Sequence, residues 1–273
     1  MTQDADGEAS GAFLKCFGKQ LKLLRERAEL TQAELGSRIG YGADQVASVE
    51  RGRRIPKPEM IEAADRVLDA GGLLSAMKEE VARARYPAFF RDAARLEAEA
   101  VELHAYDTHV LNGLLQTEDY ARALFRMGRP LLDEETVEQR LIGRMARQDI
   151  FARRPAPTLS FVIEEPVLRR PLGGLHVLRG QLEQVLLVGQ RLNVEIQVMP
   201  TSREDNAGMG GPFTLLSPKG GEQVAYMEGQ GRSTTVTARD EVRSISSRYG
   251  IIRAQALTPS ESLAFIEELL GEL

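Results

Sequence analysis

Residues Thr31 to Pro58 read TQAELGSRIGYGADQVASVERGRRIPKP, and their punctuation predicts two short helices joined by a tight turn. Thr31 is placed as an N-cap, with Glu34 three residues on to complete a capping box. Leu35 and Ile39 share one face, and Gly36 is small where a second helix must cross. Gly40 ends the first helix, because glycine takes the left-handed position without steric cost. A second helix is expected from about Gly42 to Arg51, with Val46 and Val49 inward and Ala43, Asp44, Gln45, Ala47 and Ser48 outward. Gly52 stops it, and Arg53, Arg54 and Lys57 come next.

Upstream, Phe13, Phe17, Leu21 and Leu24 recur at the spacing of one buried helical stripe. Lys15, Lys19, Lys22 and Arg25 fall off that stripe, free to approach phosphates or to form an ordinary solvated face. Downstream, a helix opens at Pro58 and closes at Gly71-Gly72, and another runs from Leu73 to about Tyr86 before Pro87. Residues 1–12 are polar and acidic and are expected to be a disordered leader. The expectation for 13–87 is therefore an all-α, five-helix domain. Ala88–Glu102 reads as a connecting helix.

Residues 103–273 alternate helical and extended patterns. Strands are expected at 103–110, 159–165, 194–200, 213–217, 223–228 and 233–237, with closing helices at 238–256 and 259–270. The short turns between the later strands suggest an α+β domain with a mainly antiparallel sheet.

Composition sets bounds on function. The net charge of −5 is unevenly divided. Three carboxylates in the leader cancel a surplus of three Lys/Arg over residues 13–87, leaving the whole −5 on residues 88–273. A mildly basic head on an acidic body confines expected nucleic-acid contact to the head. Cys16 is the single cysteine, which excludes an internal disulfide and a cysteine-based zinc site. No apolar run approaches the ~20 residues that cross a bilayer, and the leader resembles neither a signal nor a transit peptide. The expected compartment is the cytoplasm.

The eleven positions Thr31, Gln32, Leu35, Gly36, Ile39, Gly40, Val46, Val49, Glu50, Gly52 and Pro56 give this stretch a pattern similar to the helix-turn-helix of the lambda-repressor/Xre family. The resemblance implies that Tyr41–Arg51 is a recognition helix in the major groove of double-stranded DNA. Carried over position by position, the base-reading residues are Ala43, Asp44, Gln45 and Ser48. Gln45 suits adenine, Asp44 the cytosine amino group, and Ala43 a thymine methyl. The face is short of Arg, Lys and Gln, so DNA shape is expected to contribute to selection. Gln32, Arg53, Arg54 and Lys57 are the expected phosphate contacts, and Glu50 is expected to bond within the domain. A reading face this sparse predicts a homodimer on an inverted repeat.

The second half resembles another family. NGLLQTEDYARALFRMGRP, VLRRPLGGLHVLRGQLEQV, VEIQVMP, GPFTLL and VAYMEG are similar to the uncharacterised domain of the WhiJ-type developmental regulators of sporulating actinobacteria. That resemblance, over about residues 97–270, implies a regulatory domain acted on by a small acidic protein. Arg140, Arg144 and Arg147 fall at i, i+4, i+7. They form either a face that captures acidic groups of a partner or a solvated face paired with Glu134, Glu135 and Glu138.

Catalytic patterns do not emerge. His104 and His109 are an odd number apart and diverge on a strand, His176 stands by itself, and Glu164-Glu165 point apart. The loop Gly208–Pro212 lacks phosphate-loop spacing. No cofactor, no metal and no enzymatic activity are expected. The expected function is a sequence-specific transcriptional regulator, a repressor controlled through its second domain by a small protein. A small-molecule-gated sensor and an antitoxin-like autoregulator are the alternatives.

Overall fold

The computed structural model describes residues 3–83, 91–229 and 232–273, the side chains of 3–12, 82–83 and 91–92 excepted. The chain forms two compact units, one of Met1–Arg91 with Asp133–Ile142, the other of Asp92–Leu132 with Gly143–Leu273.

The first unit is helical: α1 (Gln3–Arg27), α2 (Gln32–Ile39), α3 (Ala43–Glu50), α4 (Pro58–Val67) and α5 (Lys78–Arg83). Its core gathers Phe17 and Leu21 of α1, Leu35 and Ile39 of α2, Val46 and Val49 of α3, and Met60 and Ile61 of α4. Two expectations change. Helix α1 begins at Gln3, inside the stretch read as a disordered leader; that stretch holds three alanines and no proline, which permits a helix. The fifth helix is broken, with a 3₁₀ turn at Ser75–Met77 ahead of α5. Its expected end at Tyr86–Pro87 lies outside the described residues. Gly18 lets α1 and α3 approach, since a Cβ there would collide with the carbonyl oxygens of Val49 and Glu50. Asp65 ties the end of α4 to the turn at 72–75 by accepting from the N–H groups of Gly72 and Ser75, each at 2.8 Å. Burial opposes its ionisation, but these backbone donors outweigh it and hold its carboxyl below the usual range.

The second unit opens with α6 (Arg91–Glu99), which passes without a break into β1 (Ala100–Asp107). The helix expected over 88–102 therefore gives way at Ala100, before the expected strand start at Leu103; its first residues, 88–90, lie outside the described residues. In chain order there follow α7 (Glu118–Met127), α8 (Glu134–Ala146), whose residues up to Ile142 belong to the first unit, β2 (Thr158–Glu164), α9 (Glu165–Arg169), α10 (Leu175–Gly189) and β3 (Val194–Met199). The chain closes with β4 (Phe213–Pro218), β5 (Val224–Gly229), β6 (Arg232–Val236), α11 (Arg239–Gln255) and α12 (Pro259–Gly271). Helix α12 starts with a full capping box between Thr258 and Glu261.

The six strands form one sheet in the order β3-β2-β1-β4-β5-β6. β1, β2 and β3 are mutually parallel, whereas β4, β5 and β6 are joined antiparallel. The sheet is thus mixed: the antiparallel expectation holds for the β1–β4, β4–β5 and β5–β6 pairings, but not for β1–β2 and β2–β3. The cause is the length of the β1–β2 and β2–β3 connections, which carry helices and return the chain to the same end of the sheet. One face packs Tyr106, Val162, Phe213, Leu215 and Ala225 against Val242, Tyr249 and Ile252 of α11. On the other, Leu103, Ala105, Leu159, Phe161 and Ile163 are fully buried, and α10 and α12 pack on β3. β2 is apolar on both faces, as a parallel strand covered on both sides must be.

Candidate nucleic-acid interface

The turn between α2 and α3 is built locally. Thr31 Oγ1 accepts from Glu34 N–H at 3.2 Å while Glu34 Oε2 accepts from Thr31 N–H at 2.7 Å, and this bonding holds the Glu34 carboxyl below its usual range. Gly40 takes φ +78° at the end of α2, and Tyr41 N–H closes the turn on Gly36 O at 2.8 Å. Helix α3 then starts at Ala43, with Gln45 Oε1 accepting from Gly42 N–H at 3.2 Å.

Four of the expected base-reading residues lie on α3. Ala43 and Asp44 are exposed at its first turn, and Gln45 and Ser48 are half-buried. Ala47, read as outward, is buried at 8 % exposure. Behind the helix, Arg53 and Arg54 fold back so that both N–H groups donate to Ser48 O, at 2.9 and 3.2 Å. This places the basic loop directly after the reading face, with Arg53, Arg54 and Lys57 exposed.

Arg25, left open between phosphate approach and a solvated face, and Gln32, read as a phosphate contact, both bond Glu50. Arg25 is buried and grips Glu50 through two nitrogens, Nε to Oε1 at 2.5 Å and Nη2 to Oε2 at 3.1 Å, and its Nη1 reaches Leu30 O at 2.7 Å. The bond to Glu50 raises the guanidinium pKa further. Gln32, half-buried, donates from Nε2 to the same carboxylate at 2.7 Å. Glu50 is internal, as its place in the sequence suggested. It joins α1, α2 and α3 at one point.

Two arginines of the row at and after the end of α8, Arg144 and Arg147, are bonded within the second unit. Arg147, just past the helix, forms a two-point pair with Glu97 of α6, both bonds at 2.7 Å and both side chains buried. Arg144 Nη1 donates to Gln116 Oε1 at 2.7 Å, and its guanidinium lies 5.0 Å from the centre of the Phe125 ring. Arg140 is half-buried, and burial pulls its pKa down. Arg144 and Arg147 are thus engaged with Gln116 and Glu97. On the same helix Ile142 is exposed, while Val137 and Leu141 are buried.

The remaining candidates are dispersed. His104 lies on β1, its Nδ1 buried without a hydrogen-bond partner, its ring 5.3 Å from that of Tyr249, and its pKa lowered by burial. His109 lies past the end of β1, with Nδ1 2.7 Å from Thr108 Oγ1, so the two histidines do not share a strand. His176 is exposed on α10. Glu164 accepts from the Tyr106 hydroxyl and, at 2.7 Å, from Asn206 Nδ2, while Glu165 accepts from Arg169 and Thr201. Asn206 Oδ1 also accepts from Gly208 N–H at 2.7 Å, fastening the glycine-rich loop. Among the described residues, no group of three or more His, Cys, Asp or Glu side chains is placed to hold a metal ion. No helix among them is long and apolar enough to cross a membrane.

A capped helix, a left-handed glycine turn, a second helix with an exposed first turn and a basic loop behind it define a helix-turn-helix DNA-binding domain of the class found in regulators. Residues 17–76 match the family described as a helix-turn-helix domain. Residues 90–268 match the family described as a domain of unknown function, DUF5753, and the chain belongs to that family. No curated protein and no solved structure matches it.

Proposed function

We propose that the chain is an Xre-type transcriptional repressor that binds an inverted-repeat operator as a homodimer, with a second unit of the WhiJ type controlled by a small protein partner. The observation that carries the DNA reading is the exposed start of α3 with Arg53, Arg54 and Lys57 exposed just behind it. In this reading Ala43, Asp44, Gln45 and Ser48 meet base edges, and the three cations hold phosphates. Control by a small acidic protein rests on the family resemblance; with Arg144 and Arg147 bound to Gln116 and Glu97, a docking face belongs elsewhere on that unit. The second unit receives a signal and catalyses nothing.

The test is a titration of operator DNA at several salt concentrations. Replacing Arg53 and Arg54 by alanine is expected to weaken binding to all sequences alike and to flatten the salt slope by about one unit for each phosphate left without its cation. Gln45→Ala is expected to relax preference at one base pair, by about 1–3 kcal/mol. An unchanged salt slope in the double variant sinks the phosphate assignment.

A further inference from the structure

The two edges of the sheet are treated differently. Along β3 the outer groups are occupied: Leu257 N–H donates to Val198 O and Ser262 Oγ accepts from Val198 N–H, both at 2.9 Å, and α12 packs on the strand. β6 is the opposite edge. It pairs with β5 from Arg232↔Gly229 to Val236↔Ala225 in an unbroken register, and no strand among the described residues lies on its other side. In an antiparallel ladder alternate residues direct both backbone groups away from the neighbour, so β6 presents N–H and C=O groups outward.

Sheet edges are normally blunted by lysine, proline, a bulge or an inward charge. The strand RSTTV has only Arg232, at its first position. Thr234 and Thr235 are exposed, and the Ser233 side chain is bonded to Tyr226 of the neighbouring strand. Three of the five residues are β-branched, which suits a pleated, paired strand.

We propose that β6 is closed by β6 of a second copy of this chain, antiparallel and centred on Thr234, joining the two sheets across a two-fold axis. In that register Thr234 faces Thr234, Ser233 faces Thr235, and Arg232 faces Val236. The one charge of the strand never meets its like, and hydroxyl and β-branched pairs across antiparallel strands are favourable. The contact is self-complementary and closes as a dimer, the commonest symmetry of homo-oligomers. The inference rests on the homodimer reading above and gives it an interface.

Light scattering at micromolar concentration, with three variants, tests it. The unaltered chain is expected to be a dimer. Thr234→Lys sets two ammonium groups face to face and is expected to halve the mass, with circular dichroism confirming that the variant is folded. Directly opposed antiparallel residues have Cα atoms about 4.5–5.5 Å apart, within disulfide range. In a Cys16→Ser background, Thr234→Cys is therefore expected to cross-link two copies under mild oxidation. Leu192→Cys, at a fully exposed site before β3, is expected not to. A dimer that survives Thr234→Lys, with Thr234→Cys cross-linking no better than Leu192→Cys, overturns the β6 interface and leaves the homodimer reading standing. A monomeric unaltered chain overturns both and leaves the edge to a different protein. Should Thr234→Lys fail to fold, the cross-linking comparison decides.

Discussion

Arg25 and Arg147 lie in helical stretches crowded with other charges, yet each is buried in a two-point pair with a glutamate far along the chain, Glu50 and Glu97 respectively. A guanidinium fork matches a carboxylate in geometry as well as charge, and burial makes each pair indivisible, because removing one partner strands the other. Asp107 is the contrasting residue. Buried at the end of β1, it has hydrogen bonds from Asn112, and burial raises its carboxyl to about 7. The folded state therefore binds a proton that the unfolded chain gives up near pH 4. Stability from this group is full below about pH 4 and is lost as pH rises through about 7, with a slope of at most about 1.4 kcal/mol per pH unit. Asp107→Asn is expected to remove that fall. The measurement is the difference between variant and parent in urea unfolding across pH 4–8, which cancels opposing carboxylates such as Asp65. A constant difference refutes the assignment. What was legible at this scale was local: the caps at Thr31, Thr117 and Thr258 depend on neighbours three residues away and could be read off the chain. Gln32, Arg25 and Arg147 could not, because their partners are fixed by tertiary packing.

Among elements, α2 and α3 were readable to within a residue or two because Gly40, Gly42 and Gly52 bracket them, and β2 because Leu159, Phe161, Val162 and Ile163 make a short, mainly apolar run. The direction of the first three strands depends on connection length, which strand patterns alone do not carry. β4 to β6 are joined by short turns, which force antiparallel pairing, but β1 to β3 are separated by helices, and that alternation is the signature of parallel crossovers. The arginine spacing on and just after α8 carries no information about α6 or the segment holding Gln116, so the bonds of Arg144 and Arg147 to them could not be read from it. Arg147 instead pins α6 to the turn after α8. Arg147→Met is expected to destabilise the second unit by about 3–5 kcal/mol, and Arg147→Met combined with Glu97→Leu to recover much of it. Chemical denaturation followed by far-ultraviolet circular dichroism reads both. A single variant as stable as the parent would return Arg147 to the role of a surface docking residue.

For the molecule as a whole, charge separates by role: a surplus of three cations over residues 13–87 against −5 on residues 88–273. DNA attracts the first and repels the second, so the electrostatic part of binding belongs to the head. In the proposed reading, a head that offers Ala43, Asp44, Gln45 and Ser48 to base edges makes few discriminating contacts, each good pair contributing about 1–3 kcal/mol. Two heads on one operator double that discrimination, and a two-fold dimer requires the sites to be inverted. Half-sites on one face of the duplex recur every ~34–36 Å. The expected outcome is that a fragment with both half-sites in phase protects two inverted segments in a footprint. Moving one half-site by half a helical turn, about five base pairs, is expected to lower affinity toward that of a single half-site, and moving it by a full turn to restore much of the loss. Binding indifferent to that phase would mean each head acts singly. The homodimeric repressor reading would then fall, while α3 remained the reading helix.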